Sequence, residues 1–206
     1  MIEDRYLSRL RQLTADGRRR ILGLVGAPGA GKSTLAQAIV DALPEKAIIV
    51  PMDGFHLANA ELVRLGRASR KGAEDTFDSA GYVALLSRLR QQRNDETIHA
   101  PIFRREIEEP IAGAIPVAPD IPLVITEGNY LLLEHGHWKG VRPLLDEVWY
   151  VNVDSALRQQ RLVSRHMRFG RDEGAARQWV LQTDEVNATL IDSTRARADL
   201  QFHWSS

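Results

Sequence analysis

Four short stretches carry residue types able to do chemistry on phosphate. In GAPGAGKST, Gly26, Gly31, Lys32 and Ser33 fit the spacing G-x-x-x-x-G-K-[ST] directly after an apolar strand-like run and at the opening of a helix-like one. Glycines there let backbone N–H groups curl around a phosphate, and the helix N-terminus adds positive potential. Lys32 reaches the β- and γ-phosphates of a nucleoside triphosphate, and the Ser33 hydroxyl ligates Mg²⁺. Gly26, Ala27, Gly29, Ala30, Gly31, Lys32, Ser33 and Thr34 are therefore the expected ATP-binding segment.

The next two stretches supply carboxylates. VPMDGFH sets Asp53 just past a second strand, where an acid can orient a substrate hydroxyl and take its proton; the competing reading is a plain Asp-Gly turn. VITEGNY ends a third apolar strand in Glu127, which suits Mg²⁺, with Gly128 allowing a tight turn beside the phosphates. The fourth stretch is a run of arginines. Arg158, Arg161, Arg165 and Arg168 recur at helical spacing, with Arg171 just beyond. Such a stripe can close over phosphates as a lid across about 155–172, and Arg161 and Arg165 are the expected contacts.

The elements positioning these residues alternate between strand and helix patterns, which implies α/β architecture with a mainly parallel sheet. RILGLV (20–25), AIIVPM (47–52), PLVIT (122–126), EVWYVNV (147–153) and ADLQFHW (198–204) read as strands. The segments 32–43, 155–169 and 174–192 read as helices, and residues 1–17 as an N-terminal packing helix. The stretches 59–78 and 101–122 look irregular and are expected to contact substrate.

Composition narrows the classes. The 206 residues, 44% hydrophobic and 26% charged, suit one domain spanning 1–206. Lys plus Arg and Asp plus Glu each number 27, so no overall field draws the chain to nucleic acid. The absence of cysteine excludes disulfides and thiol catalysis. The N-terminus lacks a signal-like apolar core and no long apolar run follows, so a cytoplasmic protein without membrane insertion is expected. A homodimer is left open, since Trp138, Trp149, Trp179 and Trp204 could serve core or interface, core being favoured. DSAG at 78–81 fits a loose GTPase pattern but follows no core strand, and no N-K-x-D motif accompanies it.

GAPGAGKST, PMDGFHL, ITEGNYLLL and the arginine helix together resemble the uridine kinase, phosphoribulokinase and bacterial pantothenate kinase group of P-loop kinases. Within that group the likeness is strongest to bacterial proteins described as fructose transport system kinases or nucleoside/nucleotide kinase-family proteins. The resemblance runs from about Arg20 to Trp204. It implies a three-layer P-loop fold with an arginine-bearing lid helix, and transfer of the γ-phosphoryl of Mg·ATP to a hydroxyl of a sugar, nucleoside or pantothenate-like alcohol. It assigns Asp53 as general base and Glu127 as the acid near Mg²⁺, and Arg161 and Arg165 as lid contacts. RKGAEDTFD (70–78) resembles its substrate-side segment. His56, Arg105 and Tyr130 are expected to line the acceptor pocket, and Asn187 to face the nucleotide. One departure stands out: Arg104 occupies the position of an expected Asp, where a basic residue could favour an acidic or phosphorylated acceptor or could simply point to solvent, the latter being favoured; it also leaves open a regulatory, ATP-binding protein without efficient transfer.

Overall fold

The structure, a computed structural model, describes residues 2–204. In chain order the elements are α1 (Asp4–Leu13), β1 (Arg20–Val25), α2 (Lys32–Ala42), β2 (Ala47–Ile49), α3 (Asn59–Arg64), α4 (Ser79–Arg90), β3 (Ile98–Arg104), β4 (Glu109–Val117), β5 (Leu123–Gly128), β6 (Glu147–Asn152), α5 (Ser155–Arg168), α6 (Glu173–Trp179), α7 (Glu185–Asp192) and β7 (Leu200–His203). Five strands form one parallel sheet in the order β2-β5-β1-β6-β7. Its strands are near-continuous apolar runs because both faces are covered.

The period-2 alternation of β1 divides the core. Ile21 and Val25 face one cluster with Tyr82, Leu86 and Trp138, while Leu22 and Leu24 face another with Leu35, Ile39 and Trp149. Three layers result, with α1 and α2 on one face and α4 on the other. The packing helix α1 seats Tyr6 and Leu10 on the second cluster. Tyr6 lies 4.6 Å from Phe202 and 5.5 Å from Trp149 by ring centroid, and Arg9 Nε donates to Glu147 at 2.6 Å.

Register sets the positions of the catalytic candidates. β1 is central, with Leu24 beside Glu127 and Val25 beside Gly128. The loop leaving β1 thus begins next to the acidic end of β5. Val50 N–H donates to Ile125 at 2.8 Å, after which Pro51 ends the ladder and a 3₁₀ turn, Met52–Phe55, carries Asp53 out of the sheet. Thr126 fixes this edge from below. Its hydroxyl donates to the Val50 carbonyl at 2.7 Å, so the buried Tyr82 hydroxyl must donate to Thr126 Oγ1, at 2.6 Å. Tyr82→Phe leaves that oxygen short of a donor in a dry site. It should lower unfolding free energy by about 1–3 kcal/mol in urea titration without altering secondary structure by circular dichroism.

The two stretches read as irregular are ordered. Residues 101–122 belong largely to an antiparallel ribbon, β3–β4, bulged between Ala100 and Ile102. Pro101, Pro110 and Pro116 hid its strand pattern, but a two-stranded ribbon has free edges on which proline's missing N–H costs nothing. Residues 57–76 form a closed excursion of α3 and two 3₁₀ turns, pinned where Leu57 N–H donates to Thr76 and Asp78 N–H to Phe55. The helix read over 174–192 is α6 and α7 joined by a π-helical turn, Val180–Asp184.

Candidate active site

A cavity of about 920 Å³ opens at the carboxyl ends of the sheet strands, where open α/β folds gather ligands. Its floor is the loop after β1. Gly29 and Gly31 take φ of +80° and +90°, left-handed values that L side chains rarely adopt, and Gly31 caps α2. These turns bring the loop amides and the start of α2 together, a cradle suited to anions. A Cβ on Gly29 would lie 2.9 Å from Leu162 of α5, so the arginine helix packs directly on the loop.

Lys32 is buried, and its ammonium donates to the carbonyls of Gly26 at 2.9 Å and Ala27 at 3.2 Å and to Asn129 Oδ1 at 2.8 Å. All three partners are neutral, so burial pushes its pKa down against the opposing pull of Glu127 and Asp53. Ser33 Oγ donates to Glu127 Oε1 at 2.9 Å. The Glu127 carboxyl is buried, and burial first, then the neighbouring charge of Asp53, holds its pKa above the usual carboxylate range. A hydroxyl and one carboxylate, open to a cavity, form a donor set that fits Mg²⁺ completed by phosphate oxygens and water. Among the described residues no cluster of three or more His, Asp or Glu offers a self-sufficient metal cage.

Asp53 and Glu127 each precede a glycine whose missing side chain permits close packing. A Cβ on Gly128 would fall 2.6 Å from Met52, and one on Gly54 would overlap the backbone of Pro101. The Asp-Gly pair is therefore the contact that seats the 3₁₀ turn against β3. Gly54→Ala should cost about 1–3 kcal/mol, read as an earlier midpoint in urea, because neither backbone can yield cheaply.

Around Asp53, Arg105 Nη2 approaches its carboxylate at 3.3 Å. His56 lies between Phe77 and Phe103, tilted against each, at centroid distances of 4.0 and 4.5 Å. Its Nδ1 lies 2.7 Å from the Asp53 carbonyl; a carbonyl only accepts, so Nδ1 carries the proton. Burial lowers the His56 pKa against the opposing pull of Asp53, which favours the neutral ring with Nε2 as an acceptor.

The arginine stripe divides by role. Arg161 and Arg165 line the cavity, with Arg165 held below its ordinary pKa by burial and by Arg105. Arg158 is buried instead, bonded to the Glu185 carboxylate at 2.7 and 2.9 Å, and fastens α5 to α7. Arg168 is exposed, whereas Arg171 lies 4.0 Å over the Trp179 ring at the cavity wall. Asn187 also lines the cavity.

Two expectations need correction. Tyr130 is not part of the cavity wall. It is fully buried against Phe77 and Trp138, and its hydroxyl donates to the Gly72 carbonyl at 2.5 Å, so it supports the substrate-side segment from beneath. The tryptophans also divide: Trp138 and Trp149 are core, but Trp179 and Trp204 line the cavity. Arg104 is exposed at the end of β3 and is not among the residues that line the cavity. Sequence reading missed Asn129, Lys71 and Asp184 as cavity residues. Asn129 and Lys71 sat inside the quoted stretches EGNY and RKGAEDTFD, whereas no local signal marked Asp184, which the π-helical turn carries inward.

The family model described as "Phosphoribulokinase / Uridine kinase family" matches residues 21–205. The chain belongs to this family. An ATP-dependent kinase-like protein of Aspergillus versicolor is 37% identical over 70% of this chain and 88% of its own length. A candidate uridine kinase of Schizosaccharomyces pombe is 32% identical over 96% of this chain and 88% of its own. Among solved structures, a candidate fructose transport system kinase from Silicibacter sp. TM1040 superposes with a TM-score of 0.83 at 36% identity, covering 95% of this chain and 98% of that one. As in other members of this kinase family, the fold is the three-layer P-loop arrangement, and no helix among the described residues is long and apolar enough to cross a membrane.

Proposed function

We propose that this family member transfers the γ-phosphoryl group of Mg·ATP to a hydroxyl of a small molecule, in the class of sugars, nucleosides or pantothenate-like alcohols. The observation that carries the reading is the convergence of a second carboxylate, Asp53, on the cavity that already holds Lys32 and the Ser33–Glu127 pair. Lys32 exchanges neutral oxygens for phosphate oxygens and steadies the charge that spreads over the transferred group. Ser33 and Glu127 would hold Mg²⁺, which when bound would neutralise charge on the phosphates. Asp53 orients the acceptor hydroxyl and takes its proton as the hydroxyl oxygen bonds to the γ-phosphorus and the bond from that phosphorus to the β-bridging oxygen breaks. The products are a phosphomonoester, ADP and one proton passed on to solvent. Arg161 and Arg165 approach the phosphates from α5 and keep water from competing.

The departure at Arg104, the feature that favoured a regulatory protein without transfer, lies outside the cavity and supplies no argument against transfer. The test is ADP release from Mg·ATP across sugars, nucleosides, pantothenate and phosphorylated sugars. One acceptor should raise the rate well above that with water alone. A rate indifferent to every acceptor, with ATP still bound, would leave the phosphate sensed rather than moved.

A further inference from the structure

The half of the cavity beyond Asp53 contains a cation that the transfer chemistry does not use. Lys71, half-buried on the excursion after His56, donates to Asn59 Oδ1 at 2.5 Å and to the Glu108 carbonyl, and its ammonium lies 5.1 Å over the Phe103 ring. Both hydrogen-bond partners are neutral. The two nearest carboxylates do not pair with it: Glu109 accepts the Asn59 N–H at 3.0 and 3.2 Å, and Glu108 offers Lys71 only its backbone. Burial accordingly pushes the Lys71 pKa down.

A neutral donor would serve as well to tie the α3 turn to the ribbon tip. An ammonium held there loses hydration that two neutral oxygens do not restore, and it keeps a third donor for an anion. Arg105 stands on the same wall, with only a single 3.3 Å contact to Asp53. Phe103 joins Lys71 to His56, since the Lys71 ammonium lies over its ring and His56 packs against it at 4.5 Å, so Lys71, His56 and Arg105 line one wall of the cavity.

We propose that the acceptor bears an anionic group, a carboxylate or a phosphate monoester, beside its reacting hydroxyl, and that Lys71 with Arg105 holds that group. The inference rests on the phosphoryl-transfer reading for the hydroxyl but not for the anion. Lys71 and Arg105 fix the charged end, His56 Nε2 accepts a hydrogen bond from a hydroxyl of the same molecule, and the reacting hydroxyl is delivered to Asp53. The same wall penalises an uncharged alcohol, which would leave the Lys71 ammonium without a charged partner and Arg105 with its single contact to Asp53.

The experiment titrates wild-type protein loaded with a non-hydrolysable Mg·ATP analogue with matched compounds: glycerol, glycerate and glycerol phosphate, then ribose, ribonate and ribose 5-phosphate. Parallel assays with ATP follow turnover. In at least one set an anionic member should bind about tenfold or more tightly than its neutral partner. Comparison within the set separates carboxylate from phosphate. In Lys71→Met that ratio should fall to about one, and in Lys71→Arg, which keeps the charge and the fold, it should persist. Equal binding of neutral and anionic members, no binding by any, or a preference unchanged in Lys71→Met overturns the proposal. Selective anion binding without turnover would uphold this site and count against the kinase reading, whereas turnover of neutral acceptors without preference would do the reverse.

Discussion

Asp53→Asn should lower acceptor-dependent turnover by about 10²–10⁴-fold while leaving Mg·ATP affinity equal or tighter. The substitution is nearly isosteric. Asn keeps an oxygen for the Arg105 contact and leaves the Gly54–Pro101 seat untouched, so the 3₁₀ turn should hold its place. What disappears is the base that takes the hydroxyl proton, together with one negative charge in a cavity that must admit a polyanion. That charge also opposes ionisation of Glu127, so its loss favours the carboxylate form that would hold Mg²⁺. The two measurements are single-turnover rate with the best acceptor and ATP affinity by calorimetry. A normal rate in the variant would remove Asp53 as the base. A parallel loss of ATP affinity would instead assign it to the nucleotide.

Lys32→Ala should be more severe for transfer, by about 10³-fold or more in kcat/KM, because one buried ammonium serves both as a strong charge-assisted donor and as a stabiliser of the transition-state charge. The variant should still fold. Removing the side chain frees the Gly26 and Ala27 carbonyls and Asn129 Oδ1 beside an open cavity that water can enter, and it removes a desolvated charge whose pKa is already driven down by burial. Unchanged circular dichroism with lost transfer is the expected pair of results. A variant that transfers at the wild-type rate would exclude Lys32 from contact with the reacting phosphates. Asp53 and Lys32 together distinguish two failures, since one should spare nucleotide binding and the other should weaken it.

The residues differ in how readily their neighbourhoods could be read. Lys32, Ser33 and Glu127 sit in unbroken local patterns, strand then glycine turn then helix, or strand ending in an acid, and such patterns depend only on neighbours in the chain. The alternation in RILGLV likewise specifies which side chains enter which half of the core, because pleating has a period of two whatever lies around it. Tyr130 shows the limit. Its place in EGNY puts it within two residues of a cavity-lining Asn129, yet whether it faces ligand or core depends on Phe77, Trp138 and Gly72, which lie far from it in sequence. Arg158 shows the same limit on a helix. Spacing alone gave it the same standing as Arg161 and Arg165, but packing of α5 on the Gly29 turn and pairing with Glu185 turned it inward as a fastening.

By itself the sequence determined the phosphate-binding turn, the parallel α/β frame around it, the acids at two strand ends and the membership these motifs imply, since each is written in contiguous residues whose backbone preferences and side-chain chemistry act locally. Only the tertiary structure decided that the prolines of 101–122 ride on a ribbon, that Gly54 exists to let Asp53 lie against that ribbon, and that Lys71, Arg105 and His56 share one wall. Those facts arise from segments tens of residues apart meeting in space, where burial, missing side chains and the count of unpaired donors replace sequence spacing as the governing quantities.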